Sequence, residues 1–386
     1  MRKENTSRPL LDVIGCYMSN MKEIAYYNPV QILSGEGCLK TYQGFRAFGA
    51  RCMIVCSRTA ARISGAFDDA RAALDASGVS YTVFDRVEPN PLVQTCCAAG
   101  REARETGAEF ILGIGGGSPL DAAKAIAVFA RYPDFEPEDI FKGTFSEALP
   151  VCAVGTTAGT GSEVTQYSVL TVPSIANKKS VASPLLFPKI AFLDPNYTNT
   201  LPFDATIATA IDALCHAIEG YFSLRACEIT DALALRAMAL SGGGLRALLR
   251  GELDSELRAR LLYGSTVAGM VIAGTGTGFV HAMGYPLTYF DGIPHGAANG
   301  YFIADFLELM SLARPDKEED VYRMLEISDI REFRALMEQA LPNRISLTRD
   351  KVQQYTKSVC KSRHLTSSVF EVTEDVIYDL YKQYMK

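Results

Sequence analysis

The feature that most constrains the fold is a regular exchange, over the first two hundred residues, between short β-branched or aromatic runs and alanine-rich helical patterns. The runs RCMIVCS (51–57), SYTVFD (80–85) and EFILGIG (109–115) are separated by SGAFDDARAALDAS (64–77) and PLVQTCCAAGREARET (91–106). Strands that alternate with helices in this way build βαβ units and a parallel sheet covered on both faces. PVCAVG (150–155) and KIAFLDP (189–195) read as later strands, with a hairpin-like excursion between them around QYSVLTVPSIANKKSVASP.

After LDPNYTNTLPFD the texture changes. Strand signals nearly vanish, and amphipathic patterns follow one another: DATIATAIDALCHAIEGYFS, EITDALALRAMALSGGGLRALL, SELRARLLYGSTVAGMVIAG and NGYFIADFLELMSLA. The expected organisation is an N-terminal extension (1–20), an α/β dinucleotide-binding domain of Rossmann-like type (21–200) and an all-α domain (201–386). SGGGLR at 241 is too brief to be a linker, and no internal repeat is present.

Composition narrows the function classes. A net charge of −6, with no long Lys/Arg run, gives nucleic acid nothing to hold. The apolar stretches read as broken by charge or glycine before they reach a membrane span. The first twenty residues carry Asp12 inside their short apolar run and lack a small-residue cleavage site, so they do not read as a signal sequence. Ten cysteines without CxxC pairs suit reduced thiols and a cytoplasmic location.

Three constellations carry chemistry. In EFILGIGGGSPLDAAKAIA (109–127) a buried strand runs into Gly115, Gly116, Gly117 and Ser118 and then into a helix with Pro119 in its first turn. Glycines remove the Cβ atoms that would hold a phosphate away, and helix-start amides favour an anion. The spacing is neither a full GxGxxG nor a Walker loop. A second loop, VGTTAGTGSEVT (154–165), follows another strand, and Thr156, Thr157, Thr160 and Ser162 could bond a ribose or pyrophosphate; an ordinary Ser/Thr turn reads the same from this segment alone. Two such loops after neighbouring strands fit one dinucleotide.

The third constellation is built on histidine, of which the chain has four. Asp212 and His216 are four residues apart on one helix, hence on one face, flanked by Ile211, Leu214 and Ile218. A lone DxxxH is usually a helix-surface pair, but a carboxylate buried there is costly without a cation. His281 and His295 bracket HAMGYPLTYFDGIPHG (281–296) on separate helical stretches. Together the four would give a divalent ion three nitrogens and one oxygen, leaving a position open. Cys215 points about 100° around the helix from His216, which disfavours a thiolate ligand. His364, in KSRHLTSS, is expected on the surface.

At these residues the chain resembles the iron-containing alcohol dehydrogenase family. The similarity runs from AYYNPVQILSGEG near Ala25 to the C-terminus and rests on GGGSPLDAAK, TTAGTGSEVT, DALCHAIEG and HAMGYPLTYFDGIPHG. The resemblance implies the dehydroquinate synthase-like fold, a dinucleotide-binding domain followed by a helical one. It implies metal ligands at Asp212, His216, His281 and His295, and a pyrophosphate loop at Gly115, Gly116, Gly117 and Ser118 with Asp121 just behind. Thr156, Thr157 and Thr160 would lie along the cofactor and Lys178 would reach its ribose, with Lys179 a near-equal candidate. Many members carry a second histidine four residues after the third ligand; here that place is Tyr285, which is expected to relay a proton or to shape the pocket. The family start makes residues 1–20 additional, with Met21 an alternative initiator, and such proteins are often homodimers.

The implied activity is NAD(P)-linked alcohol dehydrogenation or aldehyde reduction on a small primary alcohol or aldehyde, with Fe²⁺ (or Zn²⁺) as the metal. The strand in RCMIVCSRTA gives way to Ser57 and then Arg58 where an acidic residue would favour NAD, so NADP(H) is expected over NAD(H). Rival readings are a polyol dehydrogenase of the glycerol type, a cyclase of the dehydroquinate synthase type, and a nucleotide-binding sensor. The apolar 281–296 segment lacks the basic residues that the cyclase needs, and a sensor would not require an intact ligand set.

Overall fold

The structure, a computed structural model, describes residues 24–386; the expected extension at 1–20, the alternative start at Met21 and the thiol of Cys16 lie outside the described residues. Strands β1 (Gln31–Ser34), β2 (Arg51–Cys56), β3 (Ser80–Phe84), β4 (Phe110–Gly115) and β5 (Val151–Gly155) lead to a hairpin of β6 (Tyr167–Val172) and β7 (Asn177–Ala182), and then to β8 (Ile190–Leu193). Six of them form one sheet in the order β1–β8–β5–β4–β2–β3, with every neighbouring pair parallel. The hairpin β6–β7 is antiparallel and stands apart as its own two-stranded sheet.

The apolar runs are continuous because the sheet is buried on both faces. Cys52, Ile54 and Cys56 join Phe110, Leu112 and Ile114 in one core, while Met53, Val55 and Ile111 join the other. Helices α1 (Ala60–Ile63) and α2 (Ala66–Ala76) cover the first face; α3 (Val93–Glu105) and α4 (Gly117–Phe129) cover the second. Gly113 lets α4 press onto β4: a Cβ there would stand 2.9 Å from the Cβ of Ala123. The nine cysteines among the described residues are all unpaired.

Beyond β8 the described chain is helical except for isolated bridges. Helices α5 (Phe203–Tyr221), α6 (Glu228–Leu249), α7 (Ser255–Thr275), α8 (Phe279–Asp291), α9 (His295–Gly300) and α10 (Ile303–Ala313) are followed by α11 (Pro315–Leu325), α12 (Ile330–Ala340), α13 (Arg349–Val359) and α14 (Glu374–Lys382). They share one core, from Ile211 to Tyr381. SGGGLR lies inside α6, where Gly242 and Gly244 let Leu325 and Leu261 approach to 2.3 and 2.5 Å of where a Cβ would be. The sequence expectation needs one correction here. Helix α6 is long and apolar enough to cross a bilayer by length and hydropathy, since its small residues raise the average without supplying bulk; yet 56% of that stretch is buried, and it packs against α5 and α7.

Strands β4 and β5 end side by side, with Gly115 paired to Gly155, and Thr156 N–H donates to Gly115 O at 3.0 Å. The loop after β5 then meets the helical half backbone to backbone: a Cβ on Gly161, itself at φ +59°, would lie 2.5 Å from the Cα of Gly269 in α7. The same loop also meets the helix that carries His216: a Cβ on Gly159 would lie 2.7 Å from the Cβ of Thr209 in α5.

Candidate active site

The first loop is shaped by what its glycines allow. Gly115 has φ +152°, and a Cβ there would lie 2.5 Å from the Pro119 ring; Cβ atoms on Gly116 and Gly117 would meet Thr157 Oγ1 at 2.7 Å and Thr160 Cγ2 at 2.8 Å. The two loops thus pack glycine against threonine, and α4 starts at Gly117, so its first-turn amides, which have no partner within the helix, lie beside that contact. Ser118 Oγ accepts from Asn90 N–H at 3.0 Å, holding Asn90 in its left-handed conformation, and Thr171 Oγ1 donates to Asn90 O.

Asp121 sits behind the loop. One of its oxygens accepts from Ser162 Oγ at 2.6 Å and the other from Val169 N–H at 2.9 Å, so both are committed within the protein. Burial raises its pKa against the pull of Lys124. The Lys124 ammonium, fully buried, donates to Ser162 O, Ser162 Oγ and Tyr167 O at 2.7–2.8 Å. Burial lowers it to about 8. These two side chains pin the second loop and β6 to α4.

The acid–imidazole cluster lies across the cleft. Potential ligand atoms of Asp212, His216 and His281 all fall within 4.8 Å of one another, and all three residues are buried. The His216 and His281 rings stack with centroids 4.5 Å apart, and His295 stands edge-on to His281 at 5.4 Å. His216 Nδ1 faces Gly159 O at 3.3 Å; a carbonyl only accepts, so that nitrogen carries the proton and Nε2 keeps its lone pair. His281 Nε2 lies 3.6 Å from Asp212 Oδ1, and both His281 Nε2 and His295 Nδ1 are buried with no hydrogen-bond partner. Orphaned imidazole nitrogens around a buried carboxylate suit a cation.

The electrostatics agree. Burial opposes the charged form of Asp212, but His216, His295 and His281 hold it well below the carboxylate range. Burial lowers His216 to about 4 and pushes His295 well down, so both are neutral ligand donors at neutral pH. His281 goes the other way: against its burial, the Glu219 and Asp212 carboxylates raise it to about 9.

A cavity of about 300 Å³ has a lining that includes Glu88, Asn90, Thr171, Lys178, Thr288 and Tyr289. Of the two candidate lysines, Lys178 lines it, its Nζ 5.7 Å from the Tyr285 ring centroid, and burial lowers its pKa to about 8. Lys179 is exposed and lies over Phe141 instead. Tyr285 is buried and stacks on His295 at 5.5 Å; burial raises its phenol, which stays protonated at neutral pH. Ser57 and Arg58 follow β2, and Arg58 is exposed and joins no ion pair among the described residues.

His364 does not lie on the surface as its polar flanks suggest. Its Nδ1 is 2.9 Å from Thr277 Oγ1 and its ring meets Tyr285 edge-on at 5.8 Å, with burial lowering it to about 4. Serine and threonine neighbours read as solvent-facing, but here they serve local bonds: Ser362 Oγ accepts from His364 N–H, and Ser367 Oγ donates to Thr277 O. Three further residues escape the sequence reading. Asn299, one turn after His295, donates to Asp212 Oδ1 at 2.9 Å; Glu219 receives the His281 ring; Lys124 braces the loop. Glu219 alone had a usable signal, its position on the Asp212–His216 stripe.

Residues 29–195 match the family described as iron-containing alcohol dehydrogenase, and residues 206–384 match that family's C-terminal region. The chain belongs to this family. It is an oxidoreductase acting on CH–OH, a metal-dependent alcohol dehydrogenase or aldehyde reductase. Among relatives of the family, lactaldehyde reductase of Escherichia coli (strain K12) is 34% identical over 257 residues, 66% of this chain and 67% of its own. Sulfoacetaldehyde reductase of Bilophila wadsworthia is 31% identical over 320 residues, 82% of each chain. The crystal structure of an iron-containing alcohol dehydrogenase from Thermotoga maritima superposes with a TM-score of 0.87 at 36% identity, covering 93% of this chain and 99% of that one.

Proposed function

We propose that Asp212, His216, His281 and His295 bind one divalent cation, Fe²⁺ or Zn²⁺, and that the chain interconverts a small primary alcohol and its aldehyde with NADP(H) in preference to NAD(H). The carrying observation is the buried acid–imidazole cluster with its orphaned nitrogens, tied to the second glycine-rich loop by His216 Nδ1 on Gly159 O. The names of the relatives, lactaldehyde and sulfoacetaldehyde reductases, support a small and in some cases anionic aldehyde. Arg58, where an acidic residue would repel a 2′-phosphate, supports the phosphorylated dinucleotide. A cytoplasmic location and a homodimer remain part of this reading.

A divalent cation in such a site acidifies a bound hydroxyl and polarises a carbonyl. The protein's own groups do the rest. The amides at the start of α4 and the loop threonines Thr156, Thr157 and Thr160 hold the dinucleotide phosphates and ribose; Asp121 acts through Ser162 by keeping that loop in place. Lys178, charged below about pH 8, donates to a ribose hydroxyl. Tyr285, protonated, forms the wall beside His295 and offers a donor rather than a base. Burial of the cluster excludes water, which strengthens each electrostatic contact.

Metal analysis of anaerobically purified protein, followed by an aldehyde panel with NADPH and NADH, tests the reading. About one Fe or Zn per chain is expected, lost in His281→Ala together with turnover. Unchanged metal content and turnover in that variant would sink the assignment, and a clear NADH preference would sink the choice of cofactor.

A further inference from the structure

We propose that Glu219 is the positioning residue of the metal centre: its carboxylate fixes the His281 imidazole with its proton on Nδ1 and supplies the second negative charge that balances a divalent cation. This rests on the metal reading above and goes beyond its four ligands.

Glu219 lies seven residues after Asp212 and three after His216, so helix α5 presents all three on one stripe. It is buried to 1% exposure. Oε1 accepts from Val280 N–H at 2.9 Å and from His281 N–H at 3.4 Å, and Oε2 accepts from His281 Nδ1. Among the described residues its one ion-pair partner is that same histidine. Neighbouring Gly278 keeps the space clear, since a Cβ there would stand 2.9 Å from Oε1. The fold therefore holds a glutamate side chain in its core with no lysine or arginine paired to it among the described residues, an expensive arrangement that capping α8 does not require.

The arrangement has a chemical consequence. A carboxylate accepts and does not donate, so the nitrogen facing it must carry the hydrogen. Nε2 is then left with its lone pair, buried, without a partner and beside Asp212 Oδ1. Carboxylate–imidazole pairs of this kind orient metal-bound histidines and raise their basicity. Charge points the same way: a cation on Nε2 would take the place of the ring's second proton, and the two acidic side chains, Asp212 and Glu219, would then match one divalent ion.

The decisive variant is Glu219→Gln. Its amide oxygen can still accept from Val280 N–H, so α8 stays capped, but an NH₂ facing Nδ1 would force the ring proton onto Nε2 and block the ligand position. Zinc affinity is measured by competition with a chelator, alongside the melting temperature of the metal-free protein. In the zinc-loaded form the ¹⁵N histidine spectrum, sparse with four histidines, is recorded with His281→Ala for assignment. The expected result is zinc binding weakened by roughly 10- to 100-fold, loss of the His281 Nδ1–H signal, and an unchanged metal-free melting temperature. Wild-type zinc affinity in Glu219→Gln, or a fall in metal-free stability as large as that of Glu219→Ala, overturns the proposal. If His281→Ala abolishes zinc binding while Glu219→Gln retains it, this inference alone fails; if His281→Ala binds zinc like wild type, the metal reading fails and takes this one with it.

Discussion

The α/β half and the helical half touch where the second glycine-rich loop meets α5 and α7, but their candidate sites are built in opposite ways. The α/β half offers backbone: amides at the start of α4, exposed because Gly115, Gly116 and Gly117 carry no side chains. The helical half offers side chains: one carboxylate and two imidazoles of α5 and α8 within ligand distance of one another, with the His295 ring of α9 edge-on beside them. The first strategy suits a large, spread-out anion recognised by shape, the second a point charge held at the centre of a dry core. The two can therefore be broken separately.

The largest effect is expected on the helical side. His216→Ala removes a neutral donor and is expected to lower kcat/KM roughly 10³-fold while leaving the NADPH dissociation constant, read by fluorescence titration, unchanged. A parallel loss of NADPH affinity would show that the halves are not separable. On the α/β side, Arg58→Asp should lower kcat/KM for NADPH by roughly 10- to 100-fold, the size of one charge-assisted contact, and raise it for NADH, with metal content untouched.

Lys178 joins the two strategies, being a charged side chain on the α/β side. Its ordinary pKa of 10.5 is lowered to about 8 by burial, so the ammonium is present below that value and lost as pH rises through it. Cofactor affinity should accordingly weaken as pH rises through about 8, and Lys178→Ala should abolish this step while raising the cofactor KM roughly tenfold. The same shift destabilises the fold while the lysine is charged: the cost is full below about pH 8 and fades towards pH 10.5. The smallest effect is expected for Tyr285→Phe, about threefold in kcat/KM, the worth of one neutral hydrogen bond. A much larger drop would show that the phenol moves a proton.

Which parts were legible in the sequence follows from how local their causes are. The strands from RCMIVCS to KIAFLDP stand within a residue or two of where their apolar runs place them, because a strand buried on both faces leaves no polar positions to blur its ends. The glycine loop was legible because Gly115 needs a conformation that few other residues adopt. Asp212 and His216 announce each other by spacing along one helix. His364 and Asn299 do not. Each acts through a neighbour distant in sequence, Tyr285 and Asp212, and nothing within their own segments separates a serine that bonds its own backbone from one that faces water. The bracing of the second loop by Lys124 was hidden for a related reason, since a lysine in an alanine-rich helix ordinarily reaches solvent.

Gly161 and Gly269 touch with no side chain on either partner. A methyl group on either one would push the second loop off α7, so a larger residue at position 161 or 269 is expected to part the two halves only two residues from Gly159, whose carbonyl faces the His216 ring.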